Sequence, residues 1–107
     1  MYARVFTAQI QTGKLDDVIR ITHDSIIPAA KEQHGFKNLT LLIDRAANKA
    51  MIVSQWATEA DRTASESNGF LREQLTKLGA FVAGPPTTER FELLARVVDC
   101  LCFSVVL

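Results

Sequence analysis

The chain contains a single tryptophan, Trp56, and its neighbours give it a position suited to ligand binding. It stands near the end of an alternating apolar segment, Ala50 to Ala57, that is typical of a strand. Thr58 then provides a helix N-cap, with Glu59 and Asp61 in the first turn. A tryptophan at such a junction either packs in the core or forms a pocket wall on which an aromatic substrate stacks. The sequence leaves both alternatives open.

Two further side chains are candidates for chemistry beside such a pocket. His23 lies next to the apolar stripe of the first predicted helix, where an imidazole is either a general base or a surface residue. Arg4 shares a strand face with Tyr2 and Phe6, where a buried guanidinium either holds an anionic or phenolate group or forms an ion pair. Arg62, in the first turns of the second helix, is predicted to be solvated.

Other kinds of site lack the residues that they need. We find no Ser-His-Asp set, no glycine-rich phosphate loop and no cofactor motif, and we therefore predict no cofactor. The two cysteines, Cys100 and Cys102, and the two histidines, His23 and His34, do not have metal-ligand spacing. The sequence thus predicts no metal site, and it predicts reduced cysteines of the kind found in a cytoplasmic protein.

The composition indicates one globular domain without an anionic partner. The 107 residues are 48% hydrophobic and 22% charged, and the 12 basic residues that balance 12 acidic ones are interspersed with them. The sequence has no block of basic residues and no apolar run of about 18 residues, and its first residues predict no signal peptide. We therefore expect neither nucleic acid nor a membrane as a partner.

Hydrophobic periodicity predicts four strands and two helices in the order β-α-β-β-α-β. The predicted strands are Tyr2–Gln11, Phe36–Asp44, Ala50–Ala57 and Thr87–Val98; the helices are Lys14–Gln33, kinked at Pro28, and Thr58–Phe81, weak at Ser67–Gly69. This order predicts an α+β fold of the ferredoxin-like type, with both helices on one face of a four-stranded antiparallel sheet. We divide the chain into a domain of residues 1–98 and an apolar C-terminal strand or tail of residues 99–107.

The predicted sheet is apolar on both faces, which indicates a second copy of the chain. On the second strand Leu42 points away from the side of Leu41, and on the third strand Val53 points away from the side of Ile52. The helices cover one of these faces. Because a second apolar face also needs a cover, we expect a homodimer in which the two sheets face each other.

Taken together, these features resemble the antibiotic-biosynthesis-monooxygenase-like domain of the dimeric α+β barrel group, over about Met1 to Leu94. The resemblance rests on the element order, on D-S-I-I-P-A-A in the first helix and on the G-F pair that opens the second strand. It also rests on W-A-T-E-A-D after the third strand and on the small-residue break before Phe70. The resemblance implies a dimeric α+β barrel with a small-molecule pocket. We predict that Trp56, Phe6, Arg4 and Phe70 line this pocket, with His23 as the catalytic base.

The resemblance leaves two functions open. One is a cofactor-independent monooxygenase that acts on a phenolic or hydroquinone-like small molecule, and the alternative is a non-catalytic small-ligand-binding or stress-related dimer with a degenerate pocket. The family's polyketide monooxygenases have an Asn four residues before the Trp and a Tyr six residues after it; here these residues are Ile52 and Arg62. Haem-degrading members have a His ten residues after the Trp, where this chain has Glu66, so we predict that it does not degrade haem.

Overall fold

The computed structural model describes residues 1–97, which form one antiparallel sheet with helices on one face. The elements are β1 (Tyr2–Gln9), α1 (Leu15–Ile21), a π-helical turn (Thr22–Ile26), α2 (Ile27–Lys31), β2 (Phe36–Asp44), β3 (Lys49–Trp56), α3 (Glu59–Ser67), α4 (Phe70–Leu78), a 3-10 turn (Gly79–Phe81) and β4 (Thr87–Glu92). The strand order is β2-β3-β1-β4, which is that of the ferredoxin-like fold. The predicted α+β fold class is therefore confirmed.

The last strand is shorter than the sequence pattern predicts. β4 ends at Glu92 rather than at Val98. Within residues 1–97 it pairs with β1, and the final pair joins Glu92 to Tyr2, the first residue of β1. One more hydrogen bond, from the Leu93 N–H to the Met1 carbonyl at 2.8 Å, follows this pair. The predicted fifth strand, the domain boundary at residue 98 and both cysteines lie outside the described residues.

Pro28 divides the first helical segment, as predicted, and a π-helical turn lies directly before it. Pro28 has no N–H to donate to the carbonyl four residues back, so the regular hydrogen-bond series is interrupted there. The Ile27 N–H donates to the Thr22 carbonyl, five residues back, which is the π-helical spacing. The Thr22 hydroxyl donates to the Val18 carbonyl at 2.7 Å. His23 lies on this turn.

The second helical segment is broken where the sequence predicted a weak point. Gly69 has a φ of +89°, a left-handed conformation that glycine adopts without strain. The Asn68 side-chain oxygen accepts from the Phe70 N–H at 2.9 Å and so begins α4. Within residues 1–97, no helix is long and apolar enough to cross a membrane.

The helix-covered face of the sheet carries the hydrophobic core. Its larger cluster contains the buried residues Phe6, Ala8, Ile10, Leu15, Val18, Ile26, Ala50, Ile52 and Leu78. A second cluster joins Trp56 to Ala30 and Phe70. Trp56 has no exposed surface, and it faces the helices because its cluster partners Ala30 and Phe70 lie on α2 and α4. The strands therefore present alternate side chains to the core, and Trp56 anchors one end of it.

Within residues 1–97, no helix or strand covers the opposite face of the sheet. Leu42 lies between the core-facing Leu41 and Ile43 in β2, so it points to this open face, where it is 51% exposed. Phe91 in β4, which pairs with Ala3, is 50% exposed. Half-exposed apolar side chains at both edges agree with the expectation of a second cover. The homodimer itself stays a prediction.

Candidate functional site

A small cavity lies between the sheet and the helices beside Trp56. It is lined by Arg4, Phe6, Ile26, Ala30, Leu39, Ile52, Ser54, Trp56, Phe70, Leu71, Gln74, Leu75 and Leu78. Its volume of about 40 Å³ is enough for about three water molecules. The four residues predicted to line a pocket all lie on this cavity, and their role in binding a ligand stays a prediction.

The register of the two central strands brings the polar lining residues together. In β1 and β3, Arg4 lies directly opposite Ser54, and Tyr2 lies opposite Trp56. Because side chains alternate along a strand, Arg4, Ser54 and Trp56 all point to the helix side. A cation, a hydroxyl and an indole therefore meet at one end of the core.

The indole ring of Trp56 is held in one orientation by aromatic neighbours and a hydrogen bond. Phe36 and Phe70 pack against it edge to face, with ring centroids 5.7 Å and 6.2 Å away. The indole Nε1 donates to the Ser54 hydroxyl oxygen at 3.1 Å. With these contacts Trp56 forms one wall of the cavity.

Arg4 is a buried cation above this wall. Its side chain is 4% exposed, and its guanidinium carbon lies 5.3 Å from the Trp56 ring centroid, within cation–π range. Nη1 donates to the Ser65 hydroxyl at 2.8 Å and more weakly to Glu66 Oε2 at 3.4 Å and the Arg62 carbonyl at 3.5 Å. Within residues 1–97 these are the hydrogen bonds of the Arg4 side chain, so Nε and Nη2 are not engaged.

The charge of Arg4 persists although burial opposes it. Burial lowers the pKa of Arg4, while the negative charge of Glu66 acts in the other direction. A guanidinium nevertheless stays protonated in proteins, because its pKa starts far above neutral pH. The cavity therefore contains a permanent positive charge that is partly shielded from water.

Glu66 on α3 is shared between two arginines and favours one of them. Its side chain is 20% exposed. Each of its two carboxylate oxygens accepts a hydrogen bond from Arg90 Nε at 3.0 Å, and Oε1 also accepts one from Arg90 Nη2. The bond from Arg90 is the main reason that the pKa of Glu66 is lowered. The contact with Arg4 is a single one at 3.4 Å. Glu66 is thus bound chiefly to Arg90.

The prediction that Arg62 is solvated is wrong. Arg62 is 8% exposed, and its Nη1 donates to the carbonyls of Ala3 at 3.1 Å and Phe91 at 3.0 Å. Its guanidinium also lies 5.5 Å from the Tyr2 ring centroid. This arginine ties β1 to β4 under the start of α3. The carbonyls that draw it inward belong to strands distant in sequence, so the polar helix pattern around it gave no sign of them.

The structure does not bring His23 to the Trp56 cavity. His23 is exposed, and together with Ile19, Ile27 and Leu41 it lines a separate groove of about 390 Å³ between the first helical segment and β2. The catalytic role of His23 stays a prediction, and it would require a substrate in that groove. Within residues 1–97, there is no group of three or more His, Cys, Asp or Glu side chains that could hold a metal ion.

Sequence analysis did not identify three polar residues that lie in or near the cavity. Ser54 stands two residues before Trp56 in a strand, and this spacing alone indicates that both share one face. Gln74 on α4 is 5% exposed, and its side-chain oxygen accepts from Lys77 Nζ at 2.9 Å. Ser65 is 1% exposed and donates to the Arg62 carbonyl at 2.6 Å. Gln74 lies between Phe70 and Leu78 on one apolar face of the helical pattern, so its spacing indicates burial, whereas no apolar pattern surrounds Ser65 on α3.

A larger hollow adjoins the cavity. It has a volume of about 440 Å³ and is lined by Phe6, Leu75, Gly79, Val82, Ala83, Gly84 and Pro86. Phe6 and Leu75 also line the inner cavity, so these two side chains lie between the two spaces. Leu75 is only partly buried.

Comparison with solved structures gives the class of fold. The monooxygenase from the gene ActVA-Orf6 of Streptomyces coelicolor, solved with nanaomycin D, matches with a TM-score of 0.69 at 17% identity, over 92% of this chain and 91% of that one. A MhuD mutant with two manganese protoporphyrin IX molecules bound per active site matches with a TM-score of 0.72 at 18% identity, over 92% of this chain and 100% of that one. The chain therefore has the antibiotic-biosynthesis-monooxygenase fold, as the sequence resemblance predicted.

Sequence comparison adds a relative of greater length. No protein-family model matches the chain. The uncharacterized protein Rv2557 of Mycobacterium tuberculosis is 30% identical over 103 residues, which cover 92% of this chain and 43% of that protein. The chain thus spans less than half the length of the curated relatives that it matches.

Proposed function

We propose that the chain is a cofactor-independent monooxygenase that acts on a phenolic or hydroquinone-like small molecule bound beside Trp56. The observation that supports this proposal is Arg4, a buried cation over the indole ring with two nitrogens that are not engaged within residues 1–97. The substrate ring packs against Trp56, and its phenolate oxygen accepts from Arg4. Because an opposite charge stabilises an anion, this contact favours the ionised phenol.

In this proposal the protein supplies ionisation and desolvation, and the substrate supplies the electrons. The phenolate is the form that donates electrons to O₂. One oxygen atom becomes bonded to a ring carbon and the other leaves as water, so that a hydroquinone becomes a hydroxylated quinone. The phenolic proton passes to water at the cavity mouth, and Arg4 takes the role predicted for His23 by stabilising the anion. A cavity that excludes bulk water strengthens this charge interaction.

A substrate ring needs more space than the inner cavity offers. Ligand pockets in proteins have volumes of about 300–1,000 Å³, whereas the inner cavity has about 40 Å³ and the adjoining hollow about 440 Å³. We propose that a change of the Leu75 rotamer joins the two spaces. Leu75 is suited to this movement because it is partly buried and, with Phe6, lies between them.

The second candidate function is small-ligand binding without catalysis by a dimer with a degenerate pocket. The small volume of the inner cavity and its mainly apolar lining favour this alternative. Against it stands the convergence of Arg4 and Ser54 on Trp56, since an apolar pocket for passive binding needs no buried cation. In either case we propose a homodimer formed through the open face of the sheet, which bears Leu42 and Phe91.

Oxygen consumption tests the proposed function. The purified chain is incubated with a panel of hydroquinones in an oxygen electrode, with catalase present to reveal any peroxide. We expect saturable oxygen uptake without peroxide, lost in Arg4→Met and retained in Arg20→Ala, a variant that removes an exposed arginine on α1. Quenching of Trp56 fluorescence without oxygen uptake would favour the binding function. The absence of both signals would contradict both functions.

A further inference from the structure

We propose that Arg90 is a positioning residue that holds Glu66 away from Arg4 and so keeps the cavity able to accept an aromatic anion. This inference rests on the proposed function, since it concerns how Arg4 stays available to a phenolate. Arg90 does not line the cavity and touches no bound molecule in this scheme. It acts through Glu66.

The sheet register places the two arginines on either side of the same carboxylate. Arg4 in β1 and Arg90 in β4 are direct antiparallel partners, so their side chains leave the sheet on the same face. Glu66 on α3 lies above both of them. The helix therefore presents one negative charge to two positive charges.

The hydrogen bonds show which arginine holds the carboxylate. Both Glu66 oxygens accept from Arg90 Nε at 3.0 Å, and Oε1 also accepts from Arg90 Nη2. Arg4 reaches only Oε2, at 3.4 Å. Two-pronged contacts between arginine and carboxylate are stronger and more directional than single ones. Arg90 thus neutralises most of the Glu66 charge, and Arg4 is only partly compensated.

Without Arg90, Glu66 would become an internal competitor of the ligand. Its carboxylate would be free to form a two-pronged pair with Arg4 and to occupy the nitrogens that a phenolate needs. The other nearby cation, Arg62, directs its Nη1 to the carbonyls of Ala3 and Phe91 and forms no hydrogen bond to the Glu66 carboxylate within residues 1–97. In this proposal a half-exposed arginine at the sheet edge therefore determines whether Arg4 stays available to a ligand.

A double-mutant cycle tests this role with 4-nitrophenolate as the probe. Its dissociation constant is measured by quenching of Trp56, the sole tryptophan, in the unchanged protein, Arg90→Ala, Glu66→Gln and the double variant. We expect Arg90→Ala to weaken binding about tenfold, the factor that corresponds to about one charge-assisted hydrogen bond. In the Glu66→Gln background the same change should have little effect, because the competing charge has gone.

The controls separate this role from a structural one. Arg90→Lys should restore part of the affinity, and Arg20→Ala, which removes an exposed arginine paired with Asp17, should not change it. Binding of 4-nitroanisole, which has no negative charge, should be the same in all variants. Thermal unfolding of each variant shows that it is folded, and Arg90→Gln provides a second replacement if Arg90→Ala does not fold.

Two results would overturn the inference in different ways. If Arg90→Ala does not change the affinity, Arg90 has no role in ligand binding. If it weakens binding by the same factor in the Glu66 and the Glu66→Gln proteins, Arg90 acts only as a nearby positive charge and not through Glu66. The proposed function would survive that result. If the unchanged protein does not bind 4-nitrophenolate at all, the proposed function fails, and the role of Arg90 fails with it.

Discussion

The guanidinium carbon of Arg4 lies 5.3 Å from the centroid of the Trp56 ring, which joins the chain's one indole to a buried cation. Arg4 is in β1 and Trp56 is at the end of β3, and the antiparallel pairing of these strands brings the two side chains to the same face. A flat surface and a positive charge within one cavity are complementary to a small aromatic anion. The proposed chemistry depends on this relationship.

The geometry of the turn before β2 indicates that Gly35→Ala will strongly destabilise the fold. Gly35 has a φ of +77°, and a Cβ there would lie 2.6 Å from the Cβ of Asp61. Left-handed strain and overpacking together should lower the free energy of unfolding by about 3 kcal/mol. Gly13→Ala is the matched control, since Gly13 has a φ of +81° but open space around it, and should cost only about 1–2 kcal/mol. Chemical denaturation measures both, and equal losses would contradict the contact with Asp61.

The ion pair between Glu66 and Arg90 predicts a specific sensitivity to acid. The bond from Arg90 holds the pKa of Glu66 below its ordinary value of 4.5 in the folded chain. The pair therefore contributes stability that is fully present above about pH 4.5 and is lost as the pH falls through the lower, folded value. We expect Glu66→Gln, which removes the titrating carboxyl group, to lose less unfolding free energy than the unchanged protein between pH 6 and about pH 3. An identical pH profile in Glu66→Gln, with the exposed Glu73→Gln as control, would contradict the pairing.

We predict that the chain forms a homodimer through the open face of the sheet. One charged residue introduced at the centre of this face should therefore disrupt the dimer. Val53 pairs with Val5 at the centre of the sheet, and both point away from the core. Because a buried, unpaired carboxylate in an apolar interface is costly, Val53→Glu should give a monomer. Thr63→Glu on the exposed surface of α3 should leave the dimer intact. Sedimentation velocity distinguishes these species, and a monomer in the unchanged protein at micromolar concentration would end the prediction.

The residues of the second helical segment predict that the chain does not degrade haem. Residues 58–81 contain no His, Cys, Met or Tyr, and Glu66 stands where haem-degrading members of the group have a His. Iron would therefore lack its usual axial ligand on this side of the cavity. Haemin titration should give no saturable Soret shift at one haem per chain. A saturable shift that disappears in His23→Ala would show that haem binds from the other helix.

The sequence predicted those parts of the fold that depend on local patterns. Alternation in β1, β2 and β3, the kink at Pro28 and the break at Gly69 are each encoded within a few neighbouring residues. The end of β4 at Glu92 is not encoded locally, because β4 pairs with β1, a strand distant in sequence. The same distinction separates Trp56, whose inward direction follows from its strand, from Arg62, whose partners lie on distant strands.

The polar network of the cavity could hardly be predicted from local sequence patterns, because its members come from segments distant in sequence. Glu66 and Arg90 are unremarkable charged residues in sequence, yet the sheet register and the packing of α3 bring both to Arg4. His23 is the opposite case, since its place beside an apolar stripe suggested the Trp56 pocket, whereas it lines a separate groove and its catalytic role stays a prediction. Pairings between strands and helices therefore decide which of the predicted residues can act together.

The ionisation of bound 4-nitrophenol is the measurement that tests the central claim most directly. At a pH below the ordinary pKa of this phenol, its absorbance reports the phenolate fraction in the presence of excess unchanged protein or excess Arg4→Met. We predict about ten times more phenolate relative to phenol with the unchanged protein, because Arg4 stabilises the anion beside Trp56. Arg4→Met, which thermal unfolding must show to be folded, removes this cation and should show no such increase. Equal phenolate fractions with the two proteins would contradict the assignment of Arg4 as the group that holds an aromatic anion.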